Sequence, residues 1–236
     1  MREDIIDVLR IGLLPKDYSV ALEETALIVI DMQTYQTRAS MMSQMFSLFD
    51  PEMPTYYLER VTEIVEPNIL KLLAVFRAAD RPVIFTKILP LNDEDGGLPV
   101  IWKQLNAMAR EQAGAPIFPN REDVSTELND NMPRDAKDII IEKTTSSGFV
   151  NTSLNSVLKE KNIKRIILCG VISSICVEST ARGGFDYGYD VTVIDDACGA
   201  PAPQLHASAM AAIEISYGNV RMTDEYIAEV QKGLNK

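Results

Sequence analysis

Short apolar runs punctuate the chain at 26–31, 82–87, 138–143, 164–170 and 189–195, with a weaker one at 219–223. They are rich in Ile and Val, and apolar residues follow one another instead of alternating with polar ones. A strand with apolar side chains on both faces belongs inside a sheet covered on both sides, the usual setting of parallel strands. Between these runs the spacing changes to that of helices. The stretch 61–79 is apolar at 61, 64, 65, 69, 72, 73 and 76, close to the 3.6-residue repeat. The spacing also predicts helices over 155–161, capped by Thr152-Ser153, and over 176–187 and 204–217. Strand and helix alternate, so the fold class is α/β, with a mostly parallel sheet and helices on both faces.

Two segments break the rhythm. Residues 39–57 gather Met41, Met42, Met45, Phe46, Phe49, Met53, Tyr56 and Tyr57, and residues 91–124 carry Gly96-Gly97, Trp102 and several prolines. Long insertions of this kind form lids, binding loops or subunit contacts. The expected organisation is one domain over 1–236, with an N-terminal extension at 1–24 and insertions at 39–57 and 91–124.

Charge narrows the function. With 23 Lys and Arg against 34 Asp and Glu, the 236-residue chain has a net charge of −11. Such a chain is a poor match for nucleic acid or an anionic membrane surface. No apolar run is long enough to span a bilayer, and the N-terminus does not read as a signal peptide. Cys169, Cys176 and Cys198 show no paired spacing, which fits free thiols in a reducing, cytoplasmic compartment. The chain has one histidine, His206, so two-His zinc sites cannot form within it. In a helical stretch, His206 reads as a structural residue.

Ligands of open parallel sheets bind beyond the carboxyl ends of the strands. Asp31 ends the first run, Lys143 ends the third, and Cys176 lies six residues past Gly170, which ends the fourth. An acid, a base and a thiol at one edge can form a nucleophilic site without histidine. A Lys ammonium and a helix N-terminus favour the thiolate, Asp31 can take and return a proton, and backbone N–H groups at the turn can hold an oxyanion. Each residue also has a plainer reading: a turn-forming Asp, a solvated Lys, a small buried Cys.

The words around these residues carry a resemblance. Ala26-Leu27-Ile28-Val29-Ile30-Asp31-Met32-Gln33, Glu142-Lys143-Thr144-Thr145-Ser146-Ser147-Gly148-Phe149 and Gly170-Val171-Ile172-Ser173-Ser174-Ile175-Cys176-Val177-Glu178-Ser179-Thr180 resemble the isochorismatase-like cysteine hydrolases, as does 188–197. The resemblance implies a Rossmann-like six-stranded parallel sheet. Its triad would be Asp31 as general base, Lys143 as orienting cation and Cys176 as nucleophile. It also implies a cis peptide at Val171–Ile172, with the N–H groups of Ile172 and Cys176 as oxyanion hole. The activity implied is hydrolysis of a C–N bond in a small amide, ureido or carbamoyl compound through a thioester, releasing ammonia or an amine. Ser173 stands where the family commonly has Thr. The nicotinamidase branch places an Asp and two His for a metal shortly after the first motif; 32–53 has no His, so no metal and no other cofactor is expected. The presence of Cys176 points to the amidohydrolase branch, nearest in look to ureidoacrylate amidohydrolase and biuret hydrolase.

Gln33 and Tyr35 are expected to face the pocket, Phe149 to form an apolar wall, and Arg38 and Lys87 to hold a substrate carboxylate or else to form ion pairs. A homodimer or homotetramer is expected from family habit and the Met/aromatic patch. The alternatives are a non-catalytic binding or scaffold protein on the same fold and a thiol-redox protein, the latter lacking a neighbouring resolving cysteine.

Overall fold

The computed structural model describes residues 22–234; most of the extension expected at 1–24 lies outside them. Six strands form one sheet: β1 (Thr25–Ile30), β2 (Val83–Ile88), β3 (Ile139–Lys143), β4 (Arg165–Val171), β5 (Asp190–Gly199) and β6 (Asn219–Arg221). Their order is β3-β2-β1-β4-β5-β6, and every pairing is parallel. The chain works outward from β1 in one direction, then restarts at β4 on the other side. The order therefore reverses between β1 and β4, where the ends of the two strands leave a crevice.

Burial explains the apolar runs. Every residue of β1 and β2 is buried. The outer strand β3 is different: Ile139 and Ile140 are only half-buried, because one side of an edge strand has no neighbour.

The helices among the described residues are α1 (Thr34–Thr37), α2 (Met41–Phe46), α3 (Met53–Arg60), α4 (Glu66–Ala78), α5 (Val100–Ala113), α6 (Leu154–Glu160), α7 (Glu178–Asp186), α8 (Pro203–Ser216) and α9 (Thr223–Leu234). Right-handed crossovers place α4 on one face and α7 and α8 on the other. The helix read at 61–79 starts earlier: α3 runs into α4 through a π-helical turn, Val61–Val65. Ser153 is the N-cap residue of α6 but makes no capping bond with its side chain; the Thr152 hydroxyl, one residue earlier, accepts the Leu154 N–H instead.

The insertions contain helices where loops were expected. Segment 39–57 holds α2 and the start of α3, and 91–124 holds α5. Leu105, Met108 and Ala109 of α5 and Met41 and Met45 line an apolar groove of about 270 Å³ between the two. The sequence did carry a signal for α5: Ile101, Leu105, Met108 and Ala109 follow helical spacing, and Gly114 closes the helix at φ 77°. Helix α9 was likewise readable from Tyr226, Ile227 and Val230.

Two glycines allow close approaches between elements. Gly170 in β4 has φ 113°, and a Cβ there would stand 2.1 Å from the Ile30 carbonyl oxygen. A Cβ on Gly184 would meet Ile166 at 2.5 Å, so α7 lies close on the sheet. Gly170 thus brings the end of β4 against β1, and Gly184 brings α7 down onto β4 and β5.

Candidate active site

The first residue past β1 is Asp31, at φ 51°, which turns its carboxylate inward at the strand end. Two strands away, Lys143 ends β3. Neighbouring strands lie about 4.8 Å apart, so only a long side chain spans the intervening β2. Lys143 does so: Nζ donates to Asp31 Oδ2 at 2.7 Å and to the Thr145 carbonyl at 3.0 Å, and it stands 3.5 Å from Cys176 Sγ. Cys176 lies in a π-helical turn, Ser173–Val177, that runs directly into α7. Its carbonyl accepts the Thr180 hydroxyl, which itself accepts the Gly148 N–H, tying the turn to the loop after β3. Asp31, Lys143 and Cys176 are 0%, 2% and 5% exposed. The Val171–Ile172 peptide that leads into the turn is cis.

Two further groups were not singled out in the sequence. The Thr86 hydroxyl donates to Asp31 Oδ1 at 2.6 Å and accepts the Asp31 N–H at 3.2 Å. Thr86 pairs with Ile30 across the sheet, a register that no single strand reveals. Tyr57, from the first insertion, is fully buried and donates to the Gln36 carbonyl. Burial raises its hydroxyl pKa, and the Cys176 and Asp31 charges add to the rise. Tyr35 is raised in the same way, by burial and then by Asp31. Both rings therefore stand within electrostatic reach of the triad.

Burial also pushes the Cys176 thiol up, to about 12; Lys143 pulls it back and Asp31 pushes it further. The resting group is a neutral thiol, in contrast to the thiolate that a nearby Lys alone would favour. For Lys143, burial favours the neutral amine, but its interactions with Asp31 first and Cys176 second outweigh it and hold the ammonium above its ordinary range.

The other expected contacts have different partners. Gln33 links strand exits: its amide donates to the Ile88 and Thr126 carbonyls and accepts the Ile88 N–H, so its nitrogen and its oxygen are both engaged within the protein. Arg38 pairs with Glu66 at 2.6 Å and with Asn129, and Lys87 pairs with Glu127 at 2.6 Å. Side chains alternate along a strand, so Lys87 points away from the side on which Thr86 meets Asp31. Of the two readings of Arg38 and Lys87, the ion pair is the one formed. The apolar wall expected of Phe149 is corrected: its ring packs on Tyr187 and Tyr189, at the start of β5 and the far end of the sheet from Cys176. Tyr35 alone of these contacts stays beside the triad; its hydroxyl donates to the Ile88 carbonyl. Among the described residues no group of three or more His, Cys, Asp or Glu is arranged to hold a metal, and no helix is long and apolar enough to cross a membrane.

A family model for the isochorismatase domain matches residues 25–225. The chain belongs to the isochorismatase family. Isochorismatase-family relatives include the ureidoacrylate amidohydrolase RutB of Acinetobacter baylyi, 32% identical over 92% of this chain and 88% of the relative. The RutB of Serratia proteamaculans is 31% identical over 90% and 85%. Among solved structures, a cysteine hydrolase from Pseudomonas syringae pv. phaseolicola superposes with a TM-score of 0.74 at 24% identity, over 91% of this chain and 96% of that one. At that identity the match speaks for the fold, and it is the same parallel α/β architecture. As an isochorismatase-family member the chain is a hydrolase in class.

Proposed function

We propose that this protein hydrolyses the C–N bond of a small ureido or amide compound, with Cys176 as nucleophile, Asp31 as proton carrier and Lys143 as the cation that orients both. The observation that carries the reading is the convergence of a thiol, an ammonium and a carboxylate, buried together at the reversal of strand order. The similarity to ureidoacrylate amidohydrolases supports a ureido acid as substrate class.

In the first step Asp31 takes the proton from Cys176, and sulfur attacks the carbonyl carbon. The carbonyl oxygen becomes an oxyanion held by the N–H groups of Ile172 and Cys176. As the oxyanion collapses, the C–N bond breaks and Asp31 returns the proton to the leaving nitrogen, releasing ammonia or an amine. Water, deprotonated by Asp31, then attacks the thioester carbon, and the thiol leaves with that proton. A neutral resting thiol suits this order: the nucleophile forms only when a carbonyl stands ready to accept it. Lys143, bonded to Asp31 and 3.5 Å from the sulfur, holds proton carrier and nucleophile in reach of each other through both transfers. Three free thiols fit a reducing compartment, so the proposal includes a cytoplasmic location.

The test is ammonia release from ureidoacrylate-like acids, biuret, nicotinamide and simple carbamates, wild type beside Cys176→Ala. The expected result is turnover on a ureido acid, with a loss of about 10⁴-fold or more in the variant. Turnover that survives Cys176→Ala, or wild-type silence on the whole panel, overturns the reading.

A further inference from the structure

His206, the one histidine of the chain, takes no part in the chemistry proposed above, yet it lies against the turn that carries it. It sits on α8, which packs against the Ser173–Val177 turn, and its ring is buried. Nδ1 is 2.8 Å from the hydroxyl of Ser173, which is itself fully buried. Nε2 is 3.0 Å from Arg60 Nη2 and 3.1 Å from Asp195 Oδ1. Arg60 donates onward to the Cys198 and Asp195 carbonyls. Elements α3, β5 and α8 are thus joined to one hydroxyl, on the residue between Ile172 and the remainder of the cysteine turn.

A neutral imidazole carries one ring proton. If Nε2 accepts from Arg60, the proton lies on Nδ1 and the ring donates to Ser173. If Nε2 donates to Asp195, Nδ1 accepts the Ser173 hydroxyl proton. The bond to Ser173 survives in both arrangements; only its direction changes. The contact is therefore a fixed point behind the turn whichever side group His206 serves.

We infer that His206 is a positioning residue: through Ser173 it sets the direction of the Ile172 and Cys176 N–H groups toward the substrate oxygen. The inference rests on the reading of Cys176 as nucleophile. Oxyanion donors act only when they meet the oxygen at hydrogen-bond distance, so a small rotation of the turn weakens them. The partners that govern the thiol, Asp31 and Lys143, lie at the exits of β1 and β3, and their hydrogen bonds run to Thr86, Thr145, Cys176 and each other rather than to α8. Loss of His206 is thus expected to damage oxyanion binding and spare thiol reactivity.

Two readouts on the intact protein separate these effects. One is the rate of Cys176 alkylation by iodoacetamide, located by mass spectrometry. The other is protection of that thiol by acetaldehyde. Sulfur bonds to the aldehyde carbon while the carbonyl oxygen takes the thiol proton, giving a reversible hemithioacetal whose oxygen occupies the oxyanion position. For Ser173→Ala, His206→Ala and His206→Gln, the acetaldehyde concentration giving half-protection should rise about tenfold or more, and kcat should fall alike with KM little changed. Alkylation without aldehyde should stay within about twofold of wild type. The amide nitrogen of His206→Asn stands near the Nδ1 position, so that variant should keep wild-type protection. The Ser173→Ala/His206→Ala double variant should be no worse than either single one.

Wild-type protection in both alanine variants overturns the inference. So does a parallel loss of protection and alkylation that Asn does not rescue, since that is a merely structural role. A wild type that acetaldehyde does not protect overturns it too. If the wild type is protected, the variants behave as expected and no substrate releases ammonia, the positioning role stands and the amidohydrolase reading fails alone.

Discussion

Asp31–Lys143 and Asp80–Lys137 are each 2.7 Å long, and each aspartate has φ 51°. The first pair lies at the carboxyl ends of β1 and β3, the second before the amino ends of β2 and β3. Side-chain exposure is 1% and 0% in the first and 78% and 79% in the second. In the exposed pair each group simply favours the charged form of the other: the Lys137 hydrogen bond lowers Asp80, and Asp80 raises Lys137. Water screens such a pair, and it adds little to stability. In the buried pair a third group, the Cys176 thiol, competes for the same proton. Length and backbone angle are the same in both pairs; exclusion of water and a neighbouring thiol are what set the Asp31 pair apart.

The strongest way to break the comparison is to remove the lysine from each pair. Lys143→Met leaves Asp31 buried without its counter-charge, and urea unfolding should show a loss of about 3–5 kcal/mol. Lys137→Met on the other edge should leave the urea midpoint unchanged. Equal effects would mean that burial is not what separates the two pairs.

High pH sharpens the same contrast. An unfolded thiol ionises near its ordinary value of 9.0, whereas Cys176 resists up to about 12 in the fold. A group whose folded pKa is raised stabilises fully below the unfolded value and loses that contribution as pH rises toward the folded one. Cys169, Cys198 and Lys143 are raised as well, so they act with the same sign. Stability should fall as pH climbs from about 9 toward 12. Alkylation of Cys176 in the resting enzyme should be slow at neutral pH and rise about tenfold per pH unit. A fast, pH-independent alkylation would show that the thiol rests as thiolate.

A smaller effect is expected at Thr86. Thr86→Val removes the hydroxyl donor to Asp31 Oδ1 while keeping the β-branched shape in β2. The expected cost is about 1–2 kcal/mol in stability, with turnover lowered about tenfold. No change in turnover would place the control of Asp31 in Lys143 alone.

Much of this architecture was legible in the chain. Continuous apolar runs located the six strands to within a few residues because strands covered on both faces have no polar side to show. The edge position of β3 was not legible, since Ile139, Ile140 and Ile141 look like a central strand; only the absence of a neighbour exposes two of them. Helix α5 does not stand out in the chain because Gly96-Gly97, Pro99, Pro116 and Pro119 frame it with loop residues. Phe149 shows the limit of adjacency: it follows Lys143 by six residues, but the loop carries its ring beneath α7, where Gly183 and Gly184 leave room.

By itself the sequence determined the fold class and pointed to Asp31, Lys143 and Cys176 as residues that would meet, because parallel strands deliver the residues at their C-terminal ends to one edge. Only the tertiary structure decided what surrounds them. Thr86 meets Asp31 through cross-strand register, Tyr57 reaches the site from an insertion, and His206 meets Ser173 from a helix thirty-three residues later in the chain. The thiol's protonation was decided there as well. A lysine nearby in sequence logic favours thiolate, but the desolvation of a buried sulfur is larger than that attraction, and burial belongs to the whole fold rather than to any one segment.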